Sequence, residues 1–246
     1  MNRYACVALL GLFAVVACHD ARTAEEDAAK ADFHYRLARN YYNDRNVAMT
    51  QRELHTALTL DPTHAEAHHL KGFVLMGLMN YEAAAAEFRE TLRLKPDHYE
   101  ARNNLGATLI AQRRWEEAIE TLTPLLEEPL YPTPALAQYN VGYAWYQLGD
   151  LSRARRHLET ALFLSPGMCK AANALGLVLK DLGDVVAARR SFEKAVKQCP
   201  TYAEPYYHLG VLFQAGSDPA SAAAMFERCA DLARETSLGE RCEARR

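Results

Sequence analysis

From residue 31 onward, small and bulky apolar positions recur every 34 residues, with one two-residue insertion. The cleanest copy is 135–168, with Val141-Gly142, Trp145, Gly149-Asp150, Ala154, Leu158, Ala161 and Pro166. The first copy, 31–64, has Leu37-Ala38, Tyr41, Leu54, Ala57 and Pro62; the second, 65–98, has Gly72, Leu75, Ala84, Phe88 and Pro96. Leu105-Gly106, Leu109, Ala118, Leu122 and Leu125 mark 99–134. Leu175-Gly176, Leu179, Ala188, Phe192, Ala195 and Pro200 mark 169–202, and Leu209-Gly210, Phe213, Ala222, Phe226 and Cys229 mark 203–236. Each copy predicts two helices and a turn.

The placement of the small residues has a physical reading. Gly106, Gly142, Gly176 and Gly210 fall mid-helix, where glycine costs up to about 1 kcal/mol against alanine. That cost is tolerable where two helices approach closely, and Ala84, Ala118, Ala154, Ala188 and Ala222 are expected to supply the matching small surface. Gly149-Asp150 and Gly183-Asp184 make turns, and a closing proline stops the second helix. Lys71 departs from the pattern by preceding Gly72, and Thr50 replaces the mid-repeat alanine. Pro129, Pro132 and Pro134 force an extended link, so a break is expected between the third and fourth copies.

These residues resemble the tetratricopeptide repeat (TPR), a 34-residue helix–turn–helix. The resemblance implies an all-α fold: a right-handed TPR superhelix (α-solenoid) of six helix pairs. A short C-terminal cap is expected over 237–246, where Arg241, Arg245 and Arg246 suit a helix C-terminus.

The N-terminus changes the picture. Arg3 precedes an uninterrupted apolar run over 5–17, too short for a permanent membrane span but fitting a signal peptide. It ends Val15-Val16-Ala17-Cys18, which resembles a bacterial lipobox and implies cleavage before Cys18 and lipidation there; an ordinary cleaved signal with a chance cysteine is the alternative. His19 follows rather than aspartate, which by resemblance to sorting rules favours the outer membrane. Residues 18–30 read as a polar, alanine-rich tether that becomes helical near its end.

The composition of the full 246 residues is that of an ordinary folded protein, with net charge −3 and no block of like charge. Nothing indicates a nucleic-acid partner or a polybasic membrane surface. Of six cysteines, Cys6 leaves with the signal and Cys18 takes lipid. Export permits Cys169–Cys199, joining adjacent ends of one helix pair, and Cys229–Cys242, pinning the cap. Four small, mostly buried free thiols are the alternative.

No catalytic motif is present, so no enzyme activity, cofactor or small-molecule substrate is expected. His64, His68 and His69 cluster, but without a third ligand they read as polar surface rather than as a metal site. By the resemblance, the first helix of each pair lines a groove. That assigns Tyr35, Arg39, Tyr42, Phe73, Met76, Asn103, Tyr139, Tyr143, Tyr146 and Tyr207 to partner binding, with His69, Ile110, Asn173 and Leu177 beside them. Aromatics with polar tips supply contact area at low entropic cost; packing between repeats is the competing reading for Tyr42 and Tyr146. The groove positions lack a Lys/Arg cluster, which argues against a carboxylate clamp and for an apolar strand or amphipathic helix as ligand.

The lipobox, the six repeats, Asn103-Asn104-Leu105-Gly106 and Leu130-Tyr131-Pro132 together resemble the type IV pilus biogenesis/stability family, pilotin lipoproteins of secretin channels. The resemblance implies a lipid-anchored outer-membrane protein facing the periplasm, which binds secretin subunits and promotes their localisation and multimerisation. A general periplasmic scaffold recruiting cell-wall or envelope-assembly proteins is the alternative.

Overall fold

The computed structural model describes the backbone of residues 5–246 and the side chains from residue 24 onward. Cys18, the expected lipidation site, lies outside the described side chains. Thirteen helices and no strand occur among the described residues. The end of α1 (Ala5–Asn43) precedes α2 (Val47–Leu60), and α3 (Ala65–Gly77) precedes α4 (Tyr81–Leu94). Then come α5 (Tyr99–Ala111) and α6 (Trp115–Leu126), α7 (Pro134–Gln147) and α8 (Leu151–Leu164), α9 (Cys169–Asp181) and α10 (Val185–Gln198), and α11 (Ala203–Ala215) and α12 (Pro219–Leu232). A last short helix, α13 (Ser237–Glu243), forms the cap. This is the all-α, solenoid-like series of helix pairs that the repeats predict. Residues 18–30 lie wholly within α1, in keeping with their alanine content.

The chain divides into two compact units between Thr108 and Leu109, inside α5. In the first, α1 packs on α2, α2 on α3, and α3 on α4. In the second, each helix from α6 to α13 packs on the next. The expected break at 129–134 is therefore absent: α6 and α7 pack on each other across it. Tyr131 is buried in the middle of that link. Pro134 begins α7, where a missing N–H costs nothing.

Four of the pairs are set by one close contact each. A Cβ added at Gly72 would lie 2.8 Å from the Phe88 ring, one at Gly176 2.5 Å from Phe192, and one at Gly210 2.6 Å from Phe226. In the fourth repeat Gly142 faces Leu158 at 2.9 Å. The partner of each glycine is thus the bulky residue four after the alanine, not the alanine expected from the sequence. Phe88 and Phe192 are fully buried, and Ala84, Ala154 and Ala188 are buried beside them. Lys71 finds its reason here, because it pairs with Glu87 at 2.6 Å next to the Gly72–Phe88 contact.

The turn inside each pair repeats a second device. The second helices are capped by Asn46, Asn80, Asp150, Asp184 and Asp218, whose side chains accept from backbone N–H groups three residues on. That satisfies donors left open at a helix start. Arg114 holds the equivalent place in the third repeat and makes no side-chain cap. The residue before each cap is left-handed: Gly149 and Gly183, but also Arg45, Met79, Arg113 and Ser217, with φ of 59–60°.

An L-residue in that conformation costs about 1–2 kcal/mol, partly offset by the backbone freedom glycine loses on folding. Met79 is 73% exposed, so its side chain contributes little. Met79→Gly is expected to raise stability by about 0.5–1 kcal/mol and Gly183→Ala to lower it by about 1 kcal/mol. Urea unfolding of both variants reads the opposite signs.

Candidate functional site

In the first unit the expected groove residues lie on α1, α3 and α5. The Tyr35 ring sits 4.9 Å from that of His64. Burial raises the Tyr35 hydroxyl pKa and the exposed Arg39 guanidinium opposes that rise. Tyr42 meets Phe73 edge-on at 5.8 Å, so this pair bridges the first two repeats. Met76 is half-buried and Asn103 buried. The neighbouring His69 lies against His98 at a tilt, ring centres 4.4 Å apart, and bonds the Asn104 amide at 3.1 Å.

The histidine cluster is built for structure. His64 Nδ1 accepts from the Ala67 N–H and caps α3. His68 Nδ1 meets Glu87 at 2.6 Å and its Nε2 meets the Pro62 carbonyl at 3.0 Å. Hydrogen bonding to Glu87 raises the His68 pKa. Among the described residues, no three His, Cys, Asp or Glu side chains could hold a metal ion together.

The second unit carries the denser aromatic surface. Tyr139 and Tyr143 lie 6.2 Å apart and Trp115 meets Tyr143 edge-on at 6.4 Å. Burial, with Tyr143 and Glu204 nearby, pushes the Tyr139 hydroxyl up to about 12. Burial also raises Tyr143, with Arg113 opposing. Tyr146 donates to Asp181 on α9 at 2.9 Å, and burial plus that carboxylate push it up to about 12.

Trp115, Tyr202 and Glu204 belong to this surface and escaped the sequence reading. The Tyr202 hydroxyl donates to Glu204 at 2.7 Å and accepts from the Asn173 amide at 3.1 Å; the same amide reaches Glu204 at 3.2 Å. Burial and the Glu204 hydrogen bond raise Tyr202 strongly. Tyr202 lies outside α11 as its N-terminal flanking residue, so a rule that takes groove residues from helices omits it.

Tyr207 is placed between the Phe226 ring, 6.0 Å away, and the cap. Arg241 and Arg245 lie over its face at 5.1 and 5.8 Å. The groove positions themselves carry no Lys/Arg cluster, but the tail folds back to bring two arginines over Tyr207. Both cysteine pairs are bonded, Cys169 to Cys199 and Cys229 to Cys242, each with Cα atoms 6.0 Å apart. Cys169 opens α9 and Cys199 closes α10, so the first bond joins adjacent ends of one pair. Among the described residues no helix is long and apolar enough to cross a membrane.

Comparison with known proteins agrees with this geometry. Tetratricopeptide repeat models match residues 75–129 and 108–168, and a model described as TPR repeat matches 176–216. This chain is a tetratricopeptide repeat protein. It is 27% identical over 159 residues to the type IV pilus assembly protein PilF of Pseudomonas aeruginosa. That match spans 63% of this chain and 63% of the relative, less than two thirds of its length. Among solved structures, PilW, described as a widely conserved type IV pilus biogenesis factor, superposes with a TM-score of 0.76 at 22% identity, over 86% of this chain and 97% of that one. The structure of Pseudomonas aeruginosa PilF superposes at 0.74 and 23% identity, over 90% and 100%. A chain of the APC/C hetero-tetramer Cut9–Hcn1 reaches 0.75 at 15% identity over 88% of this chain and 42% of that one. These likenesses show a common fold built of TPR pairs.

Two half-buried histidines make these repeats acid-sensitive. Burial, with His98, holds His69 down at about 4. Burial, with Lys180 and Arg241, holds His208 down at about 4. The unfolded chain takes up both protons near pH 6.5 and the folded chain only near 4, so stability falls as pH drops through that window. His208 stacks on Phe192 at 5.1 Å, a place a phenyl ring fits. Between pH 7 and 5 the native protein is expected to lose about 2 kcal/mol more than His208→Phe, measured by urea unfolding at each pH.

Proposed function

We propose that this protein is a lipid-anchored outer-membrane factor of type IV pilus biogenesis, which binds secretin subunits and promotes their localisation and multimerisation. The observation that carries the reading is its likeness, in sequence, to a protein named for type IV pilus assembly. Two features of the chain support it. The signal ending at Cys18 supplies a membrane anchor on the exported side, where two acyl chains or more hold stably. The surface around Tyr143 offers aromatic area with polar tips, partly open on α7 and edged by Trp115. Such a surface receives an apolar segment while hydroxyls bond its backbone. In this reading the repeats hold a secretin protomer and the lipid carries it to the outer membrane.

The test is genetic and biochemical. In a deletion strain, heat- and detergent-resistant secretin multimers are expected to be lost. Cys18→Ala should leave a folded, secretin-binding protein that fails to bring multimers to the outer membrane. Tyr143→Ala, at a half-buried position, should weaken secretin capture about tenfold or more, as removal of an aromatic anchor does. Normal multimers in the deletion strain would exclude the secretin role. Capture of cell-wall hydrolases or β-barrel assembly factors without secretin would instead establish the general periplasmic scaffold.

A further inference from the structure

The cap does more than cover the last helix pair. Beside it lies a cleft of about 580 Å³, lined by Tyr207, Gln214, Arg241, Ala244, Arg245 and Arg246. Its charges are unequal in their commitments. Arg246 is neutralised by Glu227 at 2.8 Å and Glu243 at 3.7 Å. The Arg245 guanidinium donates to the neutral Gln214 amide oxygen, at 3.0 Å. Arg241 lies over the Tyr207 ring at 5.1 Å. Among the described residues neither Arg241 nor Arg245 has a carboxylate partner. Two guanidinium groups thus lie over one tyrosine ring, and neither is paired with a carboxylate. Their mutual repulsion is relieved by a bound anion, and their planar forks match a carboxylate's two oxygens.

We propose that the cap and the sixth repeat form a carboxylate pocket, which takes an acidic side chain or the terminal carboxylate of a partner polypeptide. The cleft is far larger than a bare ion needs. Its Tyr207 floor and Ala244 wall offer apolar contact to the residue that carries the acid. Tyr207 also occupies the same register in the sixth repeat as Tyr139 in the fourth. The pocket therefore extends the aromatic surface with an electrostatic end-stop. The Cys229–Cys242 bond holds it in place, because Cys242 adjoins Arg241 and is fully buried. The inference rests on the reading that these repeats receive a protein, but not on secretin being that protein.

The test uses the full chain in detergent micelles, with arginine labelled by nitrogen-15, and three octapeptides of one apolar sequence. One ends in a free carboxylate, one has an amidated end and an internal glutamate, and one has neither acid. The Nε–Hε signals of Arg241 and Arg245 are expected to shift with either acidic peptide, and the acid-free peptide to bind at least tenfold more weakly. The double variant Arg241→Ala/Arg245→Ala, altered only at exposed positions, should lose the same tenfold. Arg228→Ala, exposed and outside the cleft, should bind as native. Equal binding of all three peptides, or unmoved arginine signals, would overturn the pocket. So would a shift produced only by phosphatidylglycerol vesicles and not by peptides, which would make it a membrane contact. Acid-dependent binding alongside normal secretin multimers in the deletion strain would support the pocket while removing only secretin.

Discussion

In the second, fifth and sixth repeats the spacing between the two helices of a pair depends on glycine meeting a ring. At Gly176 there is no room even for a methyl group against Phe192, and that ring is wholly buried. The contact exchanges about 1 kcal/mol of helix propensity for an aromatic side chain removed from water, which is worth roughly 1.5–3 kcal/mol. The exchange is favourable only if the next repeat covers the other side of the ring. In the second unit Leu175, Val178, Phe192, Leu209 and Leu212 belong to one core, so each pair is completed by its neighbour.

How much of this was legible follows from the kind of physics involved. The repeat frame was readable because glycine, alanine and bulky positions recur at one interval, and periodicity survives in a single sequence. The polar caps lie on the same interval at Asn46, Asn80, Asp150, Asp184 and Asp218. The left-handed residues before them were only half visible. Gly149 and Gly183 announce that conformation, but Met79 and Arg113 adopt it through the strength of the flanking helices. The prolines of 129–134 misled in the opposite direction. Proline reports a local backbone restriction, whereas continuity between α6 and α7 is decided by packing and by the buried Tyr131 ring.

The candidate site divides along the same line. Tyr139, Tyr143 and Tyr207 could be placed by register, but their roles could not, because role depends on what approaches from another helix. Tyr146 has its hydroxyl committed to Asp181, and Tyr42 spends its edge on Phe73. Both therefore tie repeats together, whatever else they contact. Asn173 is likewise committed through its amide to Tyr202 and Glu204. Tyr143 hydroxyl chemistry is shaped by burial and by more distant charges rather than by one partner, which leaves it the most adaptable member of the strip.

The cap shows the limit of reading a charged tail as mere solvation. Ten residues rich in arginine and glutamate would ordinarily fray at a chain end. Here Gly239 comes so close to the Ala233 carbonyl that a Cβ would stand 2.3 Å from it. Thr236 caps α13 by accepting from the Gly239 N–H. The Cys229–Cys242 bond closes a loop whose loss of chain entropy contributes about 3 kcal/mol in the chain-entropy model, on top of the burial of both sulfurs. Solvating the last helix pair requires only polar residues on an outer face. A glycine approach, a helix cap and a covalent bond spent on seven helical residues hold something in a defined place. What they hold is the pair of guanidinium groups over Tyr207.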